Sequence, residues 1–522
     1  MTKRQQKSLR GVSRRSFLRT SGALGATAMA GALLPGAGRA QAADQEFDLF
    51  RVAIWSGMPN LDPEQNSIRT CLIAQKWLFD PLVWRDKDSN ALRPHLAEDY
   101  SFIGNNTWRF NIREGVKFHN GKPLTASSVK FSMERRLDEK LASPHRKSFL
   151  DIAEVKVVDQ QTVDFVCTNP FPMLPAYFPV FNIMEEGHYS EHDKAHLALN
   201  PLGSGPFRLT EFKPDDILRV ERNDDYWGGM PAMKRVEAPV IPEDAARVAA
   251  LLSGEMQISP RPTVEDFPRI NDSGVAKVEA KIGNRIVLSG LNYAMAPFDN
   301  KKVRQAVNYA VNQEEIAEVY LNGMGEVMAS ALPSTVPGHH PGLTPYPYDP
   351  AMAKQLLKEA GLPNGFKTRI ETVPEWMIAG IEVTQAIANH LREVGIEAEI
   401  QVYDAGTMAS RITSRKAGPM YMLSWGGNST FDADSYLQPL FGKGAFSCND
   451  MPEIDEAVAQ GRATADQKER VGIYQKACET IREEAPWAFL HLQPNTYGVS
   501  LDHDWKARPD EMIPLWYVNR TA

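Results

Sequence analysis

Acidic residues are missing from the beginning of this chain. None occurs before Asp44, while Lys3, Arg4, Lys7, Arg10, Arg14, Arg15, Arg19 and Arg39 all do. Long apolar runs are missing too. The most apolar early stretch, from Ala23 to Leu34, is rich in Ala and Gly. It is shorter than the roughly 20 apolar residues that a bilayer span takes, and no later segment approaches one, so no stable membrane insertion is expected. Cysteine is scarce: Cys71, Cys167, Cys448 and Cys478 include no Cys-x-x-Cys pair. That density excludes a disulfide scaffold and leaves both buried thiols and one or two disulfides open. After residue 43 there is no fixed-period repeat and no low-complexity tract. Also absent are a Gly-x-Ser-x-Gly elbow, a His-Glu-x-x-His pair and a phosphate-binding Gly loop with Lys. Gly203-Ser204-Gly205-Pro206 looks like a phosphate loop, but Pro206 removes an amide donor where one is needed.

What stands at the beginning has the three parts of an export signal. The basic region contains Ser13-Arg14-Arg15-Ser16-Phe17-Leu18-Arg19, a twin-arginine pattern. The Ala/Gly-rich stretch follows, and Ala40-Gln41-Ala42 supplies small-x-small cleavage chemistry. Such a signal is an address read by a receptor, not an anchor. The expectation is residues 1–42 as a twin-arginine signal peptide, passage through the twin-arginine translocase, and a mature protein in the periplasm. Removing 1–42 takes eight of 58 basic residues and none of 65 acidic ones, leaving a net charge near −15. A chain so acidic has no electrostatic reason to bind nucleic acid.

Periodicity then places elements. Trp108, Phe110 and Ile112 alternate at the strand period, and Asn120-Gly121 supplies a tight turn. Thr125 reads as the N-cap of a helix carrying Val129, Met133 and Leu137 on one face. Hairpins are expected around Asp159-Gln160-Gln161 and Pro214-Asp215-Asp216. Later, Asn300 to Ala310 reads as helix, Asn312 and Glu315 as a capping box, and Asp349-Pro350 as N-cap and N1 of a helix closed by Gly361. Ile387, Leu391 and Val394 lead through Gly395 into a strand from Ile396 to Val402. Helix, Gly, strand is the punctuation of an α/β lobe, so at least two α/β lobes are expected, with a more β-rich insertion early.

Several of these segments resemble one family. The stretch Leu92 to Tyr100 and the run Trp108-Arg-Phe-Asn-Ile-Arg-Glu-Gly-Val-Lys-Phe-His-Asn-Gly-Lys-Pro-Leu-Thr125 are similar to the most recognisable part of the family 5 extracytoplasmic solute-binding proteins of ABC importers. Pro201 to Phe207, Glu221 to Gly229, Leu291-Asn292 with Pro297 to Ala306, and Tyr348 to Pro363 match further motifs in family order. The resemblance implies an α/β, periplasmic-binding-protein-like fold of the large type II kind: two hinged lobes with an extra subdomain inserted in the first. Residues 43–58, 200–285 and 488–522 would form lobe I, 59–199 the insertion and 286–487 lobe II. It also implies a non-catalytic receptor that closes around a peptide-sized solute and then docks on an inner-membrane ABC permease driven by ATPase subunits. A non-peptide solute (an oligosaccharide, an opine-like conjugate, a metal chelate) is the alternative within that class, and a periplasmic hydrolase the alternative outside it.

Ser424-Trp425-Gly426-Gly427-Asn428 resembles the segment in which peptide-binding members present a Trp and, three residues on, an Asp for the peptide ammonium. Asn428 stands in that place and brings no negative charge. Trp425 reads as a stacking face for ligand. Asp432 and Asp434 read first as helix caps, with Asp432 also a candidate for ligand recognition. Trp376, His491, Tyr497 and Ser56 complete the expected ligand set. His188, His192 and His196, at i, i+4 and i+8, share a helical face that could hold a transition metal, although such a face is ordinarily just solvated. No cofactor or metal is expected.

Overall fold

Residues 46–104, 106–426, 430–444 and 446–521 are described by the structure, a computed structural model. The expected signal, residues 1–42, lies outside the described residues, as does Asn428. Among the described residues no helix is long and apolar enough to cross a membrane.

The chain enters through Phe47–Arg51, which runs parallel to Met233–Pro239; Ile217–Arg222 and Phe207–Lys213 extend that sheet antiparallel. The hairpin turns at Pro214–Asp216, where Asp215 takes φ +58°, a conformation its short polar side chain tolerates. Helix Arg69–Leu78 covers the sheet with a wholly buried Trp77, whose Nε1 donates to the Ile513 carbonyl at 2.8 Å. Phe47 and Phe50 meet the His503 ring at 5.3 and 5.0 Å. The first strand and the last residues therefore share one apolar core.

The β-rich insertion is a four-stranded antiparallel sheet, ordered Ala97–Ile103, Thr107–Ile112, Thr162–Cys167, Ile152–Val157. Its covering helix is Ala126–Leu137, with Thr125 and Ser128 forming a reciprocal cap. Val129 and Met133 enter the core with Phe110 and Phe165, while Leu137 is only partly buried. Two short helices follow where one His-bearing face was expected. His192 is extended (φ −116°, ψ 151°) and ends helix Glu186–Glu191, and Asp193 caps a new helix, Lys194–Leu199, through the His196 amide. A good N-cap in mid-pattern starts a helix afresh.

The larger sheet runs Ile258–Pro260, Trp487–Ser500, Ala276–Leu291, Met420–Trp425, Phe366–Thr372, Ile396–Val402, with Glu326–Val327 beside Trp487–Ser500. Alternation sends Ile286 and Leu288 to one face and Val287 to the other, as the strand period demands. Helices Lys301–Ala310, Pro350–Glu359 and Gly380–Glu393 cover one face; Asp434–Phe441, Pro452–Ala463 and Gln467–Glu484 cover the other. Asn300, Asn312 and Asp349 cap their helices by accepting backbone N–H groups. Glu315 reaches the Asn312 side chain rather than its backbone, so the reciprocal half of the expected box is absent.

Two strands of this sheet are unusually long, Ala276–Leu291 and Trp487–Ser500. Their outer halves pair beside Ile258–Pro260 and their inner halves beside Met420–Trp425, so they cross from one body to the other. Register breaks between Ile282 and Ile286. At that bulge a Cβ on Gly283 would lie 2.8 Å from Asn495 Nδ2 and 3.1 Å from the Pro509 carbonyl, a close approach that requires glycine. The four cysteines are free thiols, three of them buried.

Candidate functional site

A cavity of about 810 Å³ opens at the crossing. Its walls come from three directions. Trp55, Arg69 and the segment Arg261–Glu265 contribute from the body that begins the chain. Glu375–Ala379, Glu382, Leu423–Trp425 and Phe446 contribute from the other. Arg285, Gln493–Tyr497 and Glu511 form the base, on or against the crossing strands.

The aromatic wall is held rigidly. Trp425 ends strand Met420–Trp425, donates from Nε1 to the Ser435 carbonyl at 2.8 Å and packs on Phe446 at 4.7 Å between ring centroids. Trp376 closes the turn Pro374–Trp376 that follows strand Phe366–Thr372. The next turn is fixed by Ile378 N–H, which donates to Gln493 Oε1 at 2.9 Å, and by Gly380, where a Cβ would lie 2.3 Å from the Pro374 carbonyl. Tyr497 is 3% exposed and packs edge-on against Trp505 at 4.7 Å.

The electrostatics are uneven. Glu511 is shared by two guanidinium groups, with Arg69 Nε 2.9 Å from Oε2 and Arg285 Nε 3.1 Å from Oε1. Burial alone would raise the pKa of Glu511, but Arg285 and Arg69 overcome it and hold the carboxyl at about 2. Arg261 is a third guanidinium nearby, in a residue whose φ is +57°. It faces the Trp55 ring at 5.9 Å. Among the described residues its side chain has no ion-pair or hydrogen-bond partner. Arg261 is exposed to solvent, and its guanidinium stays charged at any physiological pH. Three cations thus surround one carboxylate. Arg247 is occupied by Asp244 and by the Pro242 carbonyl at 2.6 Å. The remaining acids, Glu265, Glu375 and Glu382, are exposed.

The candidate residues read from sequence fall into two groups. Trp425, Trp376 and Tyr497 line the cavity together. Ser56 does not: its hydroxyl is 3.5 Å from Thr70 Oγ1, and its neighbour Trp55 supplies the wall. His491 is fully buried within strand Trp487–Ser500, away from the cavity, and among the described residues neither ring nitrogen has a hydrogen-bond partner; burial takes its pKa down to about 3. Asp432 is also off the cavity wall. Both its oxygens are held by Arg470 at 2.7 Å, and it accepts the Asp434 amide at 3.0 Å, in an interior ion pair rather than at a ligand surface. Arg69, Arg261, Arg285 and Glu511 were not among the sequence candidates; no local motif links four residues so far apart in the chain.

Residues 91–447 match the profile of the bacterial extracellular solute-binding proteins, family 5, middle region. The chain belongs to this family. The glutathione-binding protein GsiB of Pectobacterium atrosepticum is 28% identical over 457 residues, covering 84% of this chain and 87% of the relative. The periplasmic binding protein DppA of Helicobacter pylori, solved in complex with the peptide STSA, superposes with a TM-score of 0.76 at 24% identity, covering 91% of this chain and 98% of that one. AgaA of A. tumefacien R10, solved with agropinic acid, gives 0.75 at 23%, with coverages of 91% and 99%. The fold is therefore that of the large periplasmic binding proteins, two α/β lobes with an inserted subdomain, and this solute-binding protein carries its cavity where the two long strands cross.

Proposed function

We propose that this protein is a non-catalytic periplasmic receptor that captures a short peptide carrying more than one carboxylate and delivers it to an ABC importer. The observation that carries this reading is the Arg261 guanidinium, without an ion-pair or hydrogen-bond partner among the described residues, beside Arg69 and Arg285, which both pair with Glu511. A carboxylate seated there would form charge-assisted, bidentate hydrogen bonds with Arg261. An ammonium at the other end of the ligand has Glu375 and Glu382 for partners, which makes up for the missing charge at Asn428. Trp425 and Trp376 supply apolar faces between the two ends. A volume of about 810 Å³ lies within the range of roughly 300–1,000 Å³ for small-ligand sites. Glutathione, bound by the GsiB relatives, is a tripeptide of this charge type.

Closure is proposed to bend the two crossing strands at the Gly283 bulge, bringing residues 286–487 onto the lobe formed by 43–58, 200–285 and 488–522, with 59–199 as the insertion. Ligand would stabilise the closed form to the extent that it touches both lobes. Export by the twin-arginine translocase is part of the proposal, supported by Ser13 to Arg19 and the absence of any acid before Asp44.

Isothermal titration of residues 43–522 with glutathione, a neutral tripeptide and agropinic acid tests the reading. Glutathione is expected to bind and be recovered intact, with affinity falling as salt rises. Arg261→Gln is expected to weaken it about 10- to 100-fold, as loss of a hydrogen bond between charged groups does. Tighter binding of the neutral peptide, or no effect of Arg261→Gln, refutes the acidic-peptide assignment. A response to agropinic acid alone moves the ligand to carboxylated amino-acid conjugates.

A further inference from the structure

We infer that His188, His192 and His196 form a transition-metal site on the insertion, separate from the solute cavity. The three side chains come from helix Glu186–Glu191, its end, and helix Lys194–Leu199. Each offers a ring nitrogen, and these nitrogens all lie within 4.8 Å of one another. The His192 and His196 rings stack at 4.1 Å between centroids and 14° between planes, and the His188 ring is 4.8 Å from His192. None of the three lines the solute cavity.

Backbone carbonyls settle, for two of the three rings, which nitrogen keeps its lone pair. His188 Nε2 lies 2.8 Å from the Asn200 carbonyl, and His192 Nδ1 lies 2.9 Å from the His188 carbonyl. A carbonyl only accepts, so each of these nitrogens carries the hydrogen. That leaves His188 Nδ1 and His192 Nε2 with free lone pairs. A carbonyl holding the far N–H of a ligating imidazole is the usual outer support of a metal-bound histidine: it fixes the tautomer and raises the basicity of the ligand. His196 has no side-chain hydrogen bond among the described residues and is free to turn.

The two helices beneath are anchored, so the histidines project from a firm base. Tyr189 is 5% exposed and Leu197 is 2% exposed. Glu185 accepts the Gly187 and His188 amides, and Asp193 accepts that of His196. Metal–nitrogen bonds of about 2.0–2.1 Å in a tetrahedron place the nitrogens roughly 3.3 Å apart. Exposed His192 and His196 can close that gap by side-chain rotation, without backbone movement. Three neutral imidazoles suit Zn²⁺, Co²⁺, Ni²⁺ or Cu²⁺ rather than Mg²⁺ or Ca²⁺, and solvent is left to complete the coordination sphere.

The test is titration of untagged residues 43–522 with Co²⁺ followed by visible absorption, and with Zn²⁺ followed by calorimetry. One equivalent is expected to bind, with a cobalt d–d band of low-coordinate nitrogen type. The double variant His192→Ala/His196→Ala is expected to lose both the band and the saturable heat while keeping its melting temperature and its solute affinity. His340→Ala, which alters a histidine elsewhere on the surface, is expected to bind like wild type. Absence of saturable binding by the wild type, or unchanged binding by the double variant, overturns the inference. Loss of metal binding by His340→Ala alone overturns it as well.

Discussion

Replacing Glu511 by Gln separates stability from affinity at the cavity floor. In the ligand-free protein its carboxylate is the partner of both Arg69 and Arg285. Its pKa falls from the ordinary 4.5 of the unfolded chain to about 2 in the fold, and at 1.36 kcal/mol per pH unit that displacement corresponds to about 3 kcal/mol of folding stability. The side chain is 14% exposed, so solvent screening removes little of it. Because the folded pKa is the lower one, the contribution is complete above pH 4.5 and is lost as pH falls toward 2. Glu511→Gln is therefore expected to be about 3 kcal/mol less stable in urea at pH 7. The gap between wild type and variant should narrow below pH 4.5 as the wild type loses its advantage. Binding should move the other way. Without Glu511 the guanidinium groups of Arg69 and Arg285 lose the carboxylate they share, and an acidic peptide should bind at least about tenfold tighter, a gain of roughly 1.4 kcal/mol. Calorimetry at low ionic strength with glutathione reads this directly. A variant that is as stable as wild type at pH 7, or that binds glutathione more weakly, would falsify the picture of Glu511 as a stand-in for the ligand carboxylate.

Two further substitutions probe the residues that sequence placed at the ligand and the structure places elsewhere. Asp432→Ala leaves Arg470, 4% exposed in its side chain, without its charge partner; urea denaturation should report a loss of about 3–5 kcal/mol, as breaking a buried pair from one side does. Solute affinity of the folded fraction should not change, and a selective loss of affinity would return Asp432 to the ligand site. His491→Leu removes two buried ring nitrogens that find no partner among the described residues and should raise stability by about 1–3 kcal/mol at pH 7. Since burial holds His491 near pKa 3 against 6.5 when free, wild type should lose stability as pH drops below 6.5, and the Leu variant should lose less; parallel pH curves for the two proteins would contradict this.

Local chemistry made many elements legible. Thr125 and Asp349 were read as caps, and each begins a helix. The alternation through Trp108, Phe110 and Ile112 became the strand Thr107–Ile112. These signals act over three or four residues, so the sequence displays them directly. The helix break at His192 was missed because the periodicity of the histidines concealed the cap at Asp193, a stronger local determinant. Trp425 was reached through the resemblance of Ser424 to Asn428, and Trp376 only through its place in the chain, with no motif to fix it; both lie at or just after the end of a strand of the larger sheet and line the cavity. Arg69, Arg261, Arg285 and Glu511 could not. They meet only after the crossing strands have brought distant segments together, and a lone Arg in each segment looks like any solvated cation.

The shared core of the first strand and the last residues bears on the order of events during synthesis. Phe47 and Phe50 wait for His503, and Trp77 for the Ile513 carbonyl, 436 residues later in the chain. While the ribosome still holds the C-terminal segment, that lobe lacks part of its interior. The insertion, built from consecutive residues between about 80 and 185, has its partners at hand much earlier. Completion of the first lobe is thus a post-translational event, and nascent chains or C-terminal truncations ending before about residue 513 should present its unfinished apolar face to chaperones, whatever the state of the other lobe.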